Sequence, residues 1–138
     1  MNDPTQRRPV DEELIREVAR AYLESWLDGD GERMRSALSP SLAKRGLEYE
    51  PDGSVGPLRD LDMQYMVASA GQRPRPEYER TCQISILDLA ANIASVKVRS
   101  QPFIDYLHVA KIDGRWSIVN VLYEERQPDL AGEALTAT

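Results

Sequence analysis

Residues 79–124 read ERTCQISILDLAANIASVKVRSQPFIDYLHVAKIDGRWSIVNVLYE. Valine, isoleucine, leucine, threonine and tyrosine crowd into four runs, Glu79–Leu89, Ile93–Gln101, Phe103–Ile112 and Trp116–Glu124. Branched and aromatic side chains fit a pleated, half-buried surface, so each run predicts a strand. Ala90-Ala91-Asn92 and Asp113-Gly114 supply hairpin connections. Only Gln101-Pro102 separates the second run from the third, and Pro102, having no N–H for a ladder, predicts a turn or bulge. Connections this short make consecutive strands antiparallel, so the segment is a meander.

Upstream the period changes. Leu14, Val18, Tyr22 and Trp26 fall four apart, with Ile15, Ala19, Leu23 and Leu27 beside them and charged residues opposite. This is a broad apolar stripe on a long helix beginning near Val10. Asp11, Glu12 and Glu13 suit its positive end, and Asp28-Gly29-Asp30-Gly31 stops it. A second helix is expected over Glu32–Leu38, capped by Asp30 and broken by Ser39-Pro40. A short strand within Arg45–Glu50 and a turn at Pro51–Ser54 follow. A third helix is expected over Leu61–Ala70, capped by Asp60 or Asp62. Helices first and a meander after predict an α+β fold with the helices on one face of a curved sheet. Residues 1–9 read as a flexible tail, 10–125 as one domain and 126–138 as a second tail.

The chain has 138 residues, 17 Lys+Arg, 23 Asp+Glu, one His and one Cys. That length suits one domain with a core large enough to need no disulfide or metal staple. A single Cys excludes an internal disulfide and Cys-cluster metal sites, and no zinc ligand set is evident, so no metal or cofactor is expected. Residues 1–62 hold 9 basic and 14 acidic side chains, and residues 63–138 hold 8 and 9. No basic face forms, which argues against nucleic acid and anionic membrane as partners. No stretch has the apolar length of a membrane span, and the reading is a soluble, cytoplasmic protein.

In the last strand Trp116, Ile118, Asn120 and Leu122 share one parity, and Ser117, Val119, Val121 and Tyr123 the other. Both sets are largely apolar, whereas a sheet covered by one helical layer has one wet face. A homodimer through the outer sheet face is the expected second cover.

Three segments then carry a family likeness. The first is Tyr22-Leu23-Glu24-Ser25-Trp26-Leu27-Asp28-Gly29-Asp30, with Arg33-Met34 and Ala37-Leu38-Ser39-Pro40 after it. The second is Leu42-Ala43-Lys44-Arg45. The third runs from Ile93-Ala94-Ser95-Val96-Lys97-Val98 through Phe103-Ile104-Asp105-Tyr106-Leu107-His108 to Asp113-Gly114-Arg115-Trp116-Ser117-Ile118-Val119-Asn120. In this order they resemble the "putative lumazine-binding" branch of the nuclear-transport-factor-2-like superfamily, which also includes SnoaL-like polyketide cyclases, ketosteroid isomerases and scytalone dehydratases. The resemblance implies a cone: a strongly bent antiparallel sheet wrapped on the long helix, a pocket at the open end, and a dimer through the outer face. Relatives often carry a His before the Pro that ends helix two, and here that position is Ser39, which cannot shuttle protons near neutral pH.

Within such a cone, Tyr22 and Trp26 either pack the core or wall a pocket for a flat ring. Met34 and Met66 adapt such a wall, and Leu38, Ser39, Leu107 and Trp116 complete it. Asp105 shares a face with Phe103, Leu107 and Val109. A carboxylate there is costly to bury ionised, which makes it a candidate general base, unless it is wet or paired to Lys97 or Arg99. His108 has the opposite parity, so Asp105 and His108 are alternatives and not a dyad. Asn120, grouped with Trp116, is expected inward. The first reading is therefore a protein binding a small apolar or cyclic molecule. A cofactor-free isomerase, dehydratase or cyclase with Asp105 as base is the second, and a dimerisation and protein-interaction module the third.

Overall fold

The computed structural model describes residues 4–126, with side chains from Arg7 onward; of the expected tail at 126–138, residues 127–138 lie outside the described residues. Among them are helices α1 (Pro4–Asp28), α2 (Gly31–Ala37) and α3 (Met63–Ala70). The strands are β1 (Leu38–Leu47), β2 (Arg59–Leu61), β3 (Gln83–Leu89), β4 (Ile93–Arg99), β5 (Phe103–Ile112) and β6 (Arg115–Glu125). They form one six-stranded sheet in the order β2-β1-β6-β5-β4-β3. The fold is the expected α+β cone: helices fill the concave face of an open, curved sheet whose β3–β6 run is an antiparallel meander.

Helix α1 starts at Pro4, six residues ahead of the point where its apolar stripe becomes readable. The early turns contain Pro9, which removes one helical hydrogen bond but lies close enough to the start to be carried. Its buried side is Asp11, Ile15, Ala19, Tyr22 and Leu23, a 3.6-residue stripe facing the sheet. The helix ends where Gly29 takes φ +73° and the Asp30 amide donates back to the Ser25 carbonyl at 2.9 Å. Asp30 then caps α2 by accepting from the Arg33 amide, and Asp62 caps α3 by accepting from the Tyr65 amide. The left-handed pair Asp113 and Gly114 makes the tight β5–β6 turn.

Two departures from the sequence reading matter for the site. Ser39-Pro40 does not simply break helix two. It opens β1, which pairs parallel to β6, a long-range partnership with no hairpin signal nearby. The second departure is a bulge in β6. His108 pairs with Asn120 but Val109 pairs with Ile118, so Val119 is extra and every later side chain changes face. Trp116, Ile118, Val121 and Tyr123 are buried inward, while Asn120 and Leu122 are exposed outside. The apparent two-faced greasiness of this strand is therefore mostly one inward face, interrupted once.

Candidate active or binding site

The interior changes character along the cone. Toward the closed end Ile15, Ala19, Val96, Leu107, Val109 and Ile118 pack almost without exposure. Toward the open end the packing gives way to a cavity of about 220 Å³ between α1, α3 and strands β1, β5 and β6. Alternation on β1 sends Leu42, Lys44 and Gly46 inward and leaves Ala43 and Arg45 exposed. Lys44 thus meets Tyr22 of α1 and Asp105 of β5 beneath the cavity.

These three side chains form a buried chain of hydrogen bonds. Lys44 Nζ donates to Tyr22 Oη at 2.6 Å, and Tyr22 Oη donates to Asp105 Oδ1 at 2.9 Å. Asp105 is 2% exposed, Tyr22 4% and Lys44 7%, so none is solvated in the ordinary way. Burial raises the Asp105 carboxyl above its usual range, opposed by the Lys44 charge and the Tyr22 hydrogen bond. The same desolvation lowers Lys44 to about 8, with the nearby Asp105 opposing. It also pushes the Tyr22 phenol well up, helped by Asp105. Each group is driven toward its neutral form, and protons can move between them over short bonds.

A second polar cluster borders the mouth. Tyr123 Oη donates to Glu48 Oε2 at 2.7 Å, Arg59 Nη1 reaches the same oxygen at 2.6 Å, and Arg59 Nη2 bonds Tyr65 Oη at 2.9 Å. Burial alone would raise Glu48, but the hydrogen bonds from Tyr123 and Arg59 outweigh it and hold the carboxyl below its usual range. Burial and Glu48 raise Tyr123.

The apolar wall is a file of rings. Trp26 lies 5.4 Å from Tyr78 and 5.4 Å from Phe103, and Phe103 stands edge-on to Tyr123 at 5.5 Å. Arg75 fixes the first ring: its guanidinium sits 4.3 Å over Trp26 while donating to the Trp26 and Ser69 carbonyls, which lie near the ends of α1 and α3. Tyr123 is fixed from below, because Gly46 offers bare backbone and a methyl there would overlap the ring.

Of the expected site residues, Tyr22, Trp26, Met34, Met66 and Asp105 line the cavity. Leu38, Leu107 and Trp116 belong instead to the closed core, where the Trp116 indole donates to buried Asp11 at 3.0 Å. Ser39 Oγ accepts from the Ser41 amide at 3.1 Å at the start of β1. Asn120 is turned outward by the bulge and meets His108 at 3.4 Å on the far side of the sheet. Sequence reasoning passed over Lys44, Glu48, Arg59 and Arg75 in the lining. The inward alternation of Leu42, Lys44 and Gly46 was a signal available for the first of them.

Helices packed in the concave face of a curved sheet are the fold shared with solved nuclear-transport-factor-2-like and cystatin-like proteins. The family model described as "Putative lumazine-binding" matches residues 10–124, and the chain belongs to that family. No curated protein matches it. Among solved structures, an NTF2-like protein of unknown function from Shewanella baltica is 22% identical, covers 92% of this chain and 99% of its own, and superposes with a TM-score of 0.65. One from Silicibacter pomeroyi is 16% identical over 88% of this chain and 100% of its own, with a TM-score of 0.67. A "Putative Scytalone Dehydratase" from Novosphingobium aromaticivorans is 14% identical, covers 96% of both chains and has a TM-score of 0.60. Likeness at this level carries the fold. No helix among the described residues is long and apolar enough to cross a membrane.

Proposed function

We propose that this protein binds a small cyclic molecule inside the cone. Its ring would lie against Trp26, Phe103 and Tyr123, and its polar edge would face Lys44, Tyr22 and Asp105. The observation that carries the reading is the cavity itself, about 220 Å³ with an aromatic wall above buried ionisable groups. An engineered apolar cavity of about 150 Å³ takes benzene, so this one suits a substituted ring or a compact fused pair. It is smaller than the ~300–1,000 Å³ of drug-sized sites, which excludes large ligands unless they protrude from the mouth. A cone serving only as an interaction module would have no need for a space of this chemistry.

The test is native mass spectrometry on protein isolated from its natural host, with a thermal-shift panel of one- and two-ring compounds that includes lumazine. A retained small molecule or a raised Tm supports the reading. Bare protein and an unmoved Tm across the panel overturn it.

A second reading is favoured by the Lys44–Tyr22–Asp105 chain: proton transfer on the bound ring, as in an isomerase, dehydratase or cyclase without a cofactor, with Asp105 as base. Asp105 alone lacks a partner group, and Tyr22 with Lys44 supplies one within hydrogen-bond reach. Asp105→Asn should then abolish turnover of a bound ring while leaving its binding measurable. Turnover unchanged in Asp105→Asn overturns this second reading.

We further propose that a second copy covers the outer sheet face. Ile93, Tyr106 and Leu122 lie exposed there, with Tyr106 and Leu122 directly paired across β5 and β6. Sedimentation should give twice 15.6 kDa, and a stable monomer at micromolar concentration would exclude it.

A further inference from the structure

We infer that Lys44 is an imine-forming amine and that the cavity takes a neutral aldehyde or ketone whose carbonyl carbon bonds to Nζ. The inference rests on the reading that this cavity holds a small molecule. It goes further by naming carbonyl compounds as the class and a covalent bond as the means of capture.

Placement is the first argument. The chain has three lysines, Lys44, Lys97 and Lys111. Lys97 lies near the ring of Tyr106 on the outer sheet face, and Lys111 is held by both carboxylate oxygens of Asp11 at 3.2 Å. Lys44 lines the cavity. The other cations there, Arg59 and Arg75, are guanidinium groups that stay protonated and cannot attack a carbonyl.

The second argument is how Lys44 is held. Its recorded hydrogen bond goes to a phenol, and no carboxylate oxygen among the described residues lies within 4.0 Å of Nζ to form an ion pair. Tyr22 meets Nζ at its hydroxyl edge, with the ring centre 4.9 Å away, and the Tyr123 ring lies 4.7 Å off, which restricts water on two sides. A buried amine without a direct counter-ion is the arrangement that frees a lysine for nucleophilic attack. With its ammonium drawn down to about 8, roughly a tenth of Lys44 is the free amine at pH 7.

The third argument is that neighbouring groups complete the proton balance. The ammonium proton of Lys44 passes through Tyr22 Oη to the Asp105 carboxylate, leaving neutral amine and carboxylic acid. Nζ then bonds to the carbonyl carbon as the C=O π pair moves to oxygen. One proton shifts from nitrogen to that oxygen, giving a carbinolamine. The proton stored on Asp105 returns through Tyr22 to the hydroxyl, which leaves as water while the nitrogen lone pair forms C=N. The sum is ammonium plus carbonyl giving iminium plus water. One positive charge stands before and after, next to the restored Asp105 carboxylate, and nothing is oxidised or reduced.

The test uses the full chain with benzaldehyde and sodium cyanoborohydride at pH 7, which converts any imine to a stable secondary amine. Intact mass should show one benzyl group, and peptide mapping should place it on Lys44 in preference to Lys97 and Lys111, because of the three only Lys44 lines the cavity. Lys44→Arg, which keeps a cation and removes the amine, should lose the label. Equal labelling of all three lysines, or labelling confined to Lys97, Lys111 or the amino terminus, overturns the inference. A protein whose Tm rises with ring compounds but which does not label at Lys44 refutes the imine and keeps the binding reading. Label on Lys44 with no Tm shift from ring compounds that lack a carbonyl keeps the imine and refutes non-covalent ring binding.

Discussion

The closed and open ends of the cone are built from the same helix and the same strands, yet they solve different problems. Helix α1 gives Ile15 and Ala19 to the closed end and Tyr22 and Trp26 to the open one. Strand β5 gives Leu107 and Val109 to the first and Asp105 and Phe103 to the second. The change is complete within about one helical turn on α1 and one inward residue on β5. Beneath it, apolar atoms leave water at little electrostatic cost, and buried Asp11 is paired directly with Lys111 and the Trp116 indole. Above it, a carboxylate and an ammonium lose hydration and are each pushed toward neutrality. For Lys44 the displacement from 10.5 to about 8 corresponds to roughly 3 kcal/mol set against folding. Aliphatic side chains pack readily two residues away, and that contrast supports the proposal that the site lies at the open end.

Replacing the amine tests the contrast most severely. Lys44→Met should lower unfolding free energy in urea by about 2–3 kcal/mol, because the Tyr22 hydroxyl loses its donor and Asp105 the nearby charge that opposes its desolvation, offset in part by relief of the Lys44 burial cost. Adding Asp105→Asn should recover most of that loss, whereas strictly additive losses would show that the two groups do not interact. At the closed end Leu107→Ala should cost about 2–5 kcal/mol through the cavity it leaves, with affinity for a cavity-bound ring unchanged. A matching fall in affinity, measured by calorimetry, would mean that the two ends are not separable. Acidity gives the next effect. Below pH 8 Lys44 is charged in both folded and unfolded chains and its burial penalty is fully present. Between about 8 and 10.5 the unfolded chain binds the extra proton, so stability rises with pH. Wild type should therefore gain about 3 kcal/mol relative to Lys44→Met across that interval, and a flat difference would show that Lys44 is not desolvated. Smallest is Asn120→Ala, outside the cone, which should move monomer stability by less than about 0.5 kcal/mol and leave ring binding alone.

What could be read in advance follows from how local each signal is. The α1 stripe and the four strand runs repeat with their own periods, and Asp30, Asp62 and Asp113-Gly114 mark ends by known chemistry, so the α+β class and the meander were legible, while the cone followed from the family resemblance. Strand β1 was not fully legible, because its partner β6 lies 77 to 80 residues away and pairs in parallel, and Ser39-Pro40 resembles a stop. With β1 shortened, Lys44 had no face assigned and Asp105 had no partner. Asn120 was placed inward by counting in twos, and one extra residue at Val119 reversed the count. Leu107 and Trp116 do point inward as their parity requires. They are too deep to reach the cavity, and depth along a cone is not encoded in alternation.

Gly46 gives the pocket a gauge. The Tyr123 ring rests on it, and that ring also closes the aromatic file and shields one side of Lys44. A methyl at position 46 would lift the ring off the strand, moving the wall, the shield and the hydrogen bond to Glu48 together. The bore of this cone is thus set by a missing side chain on the strand, and a change in cavity width is within reach of one substitution that does not line the cavity.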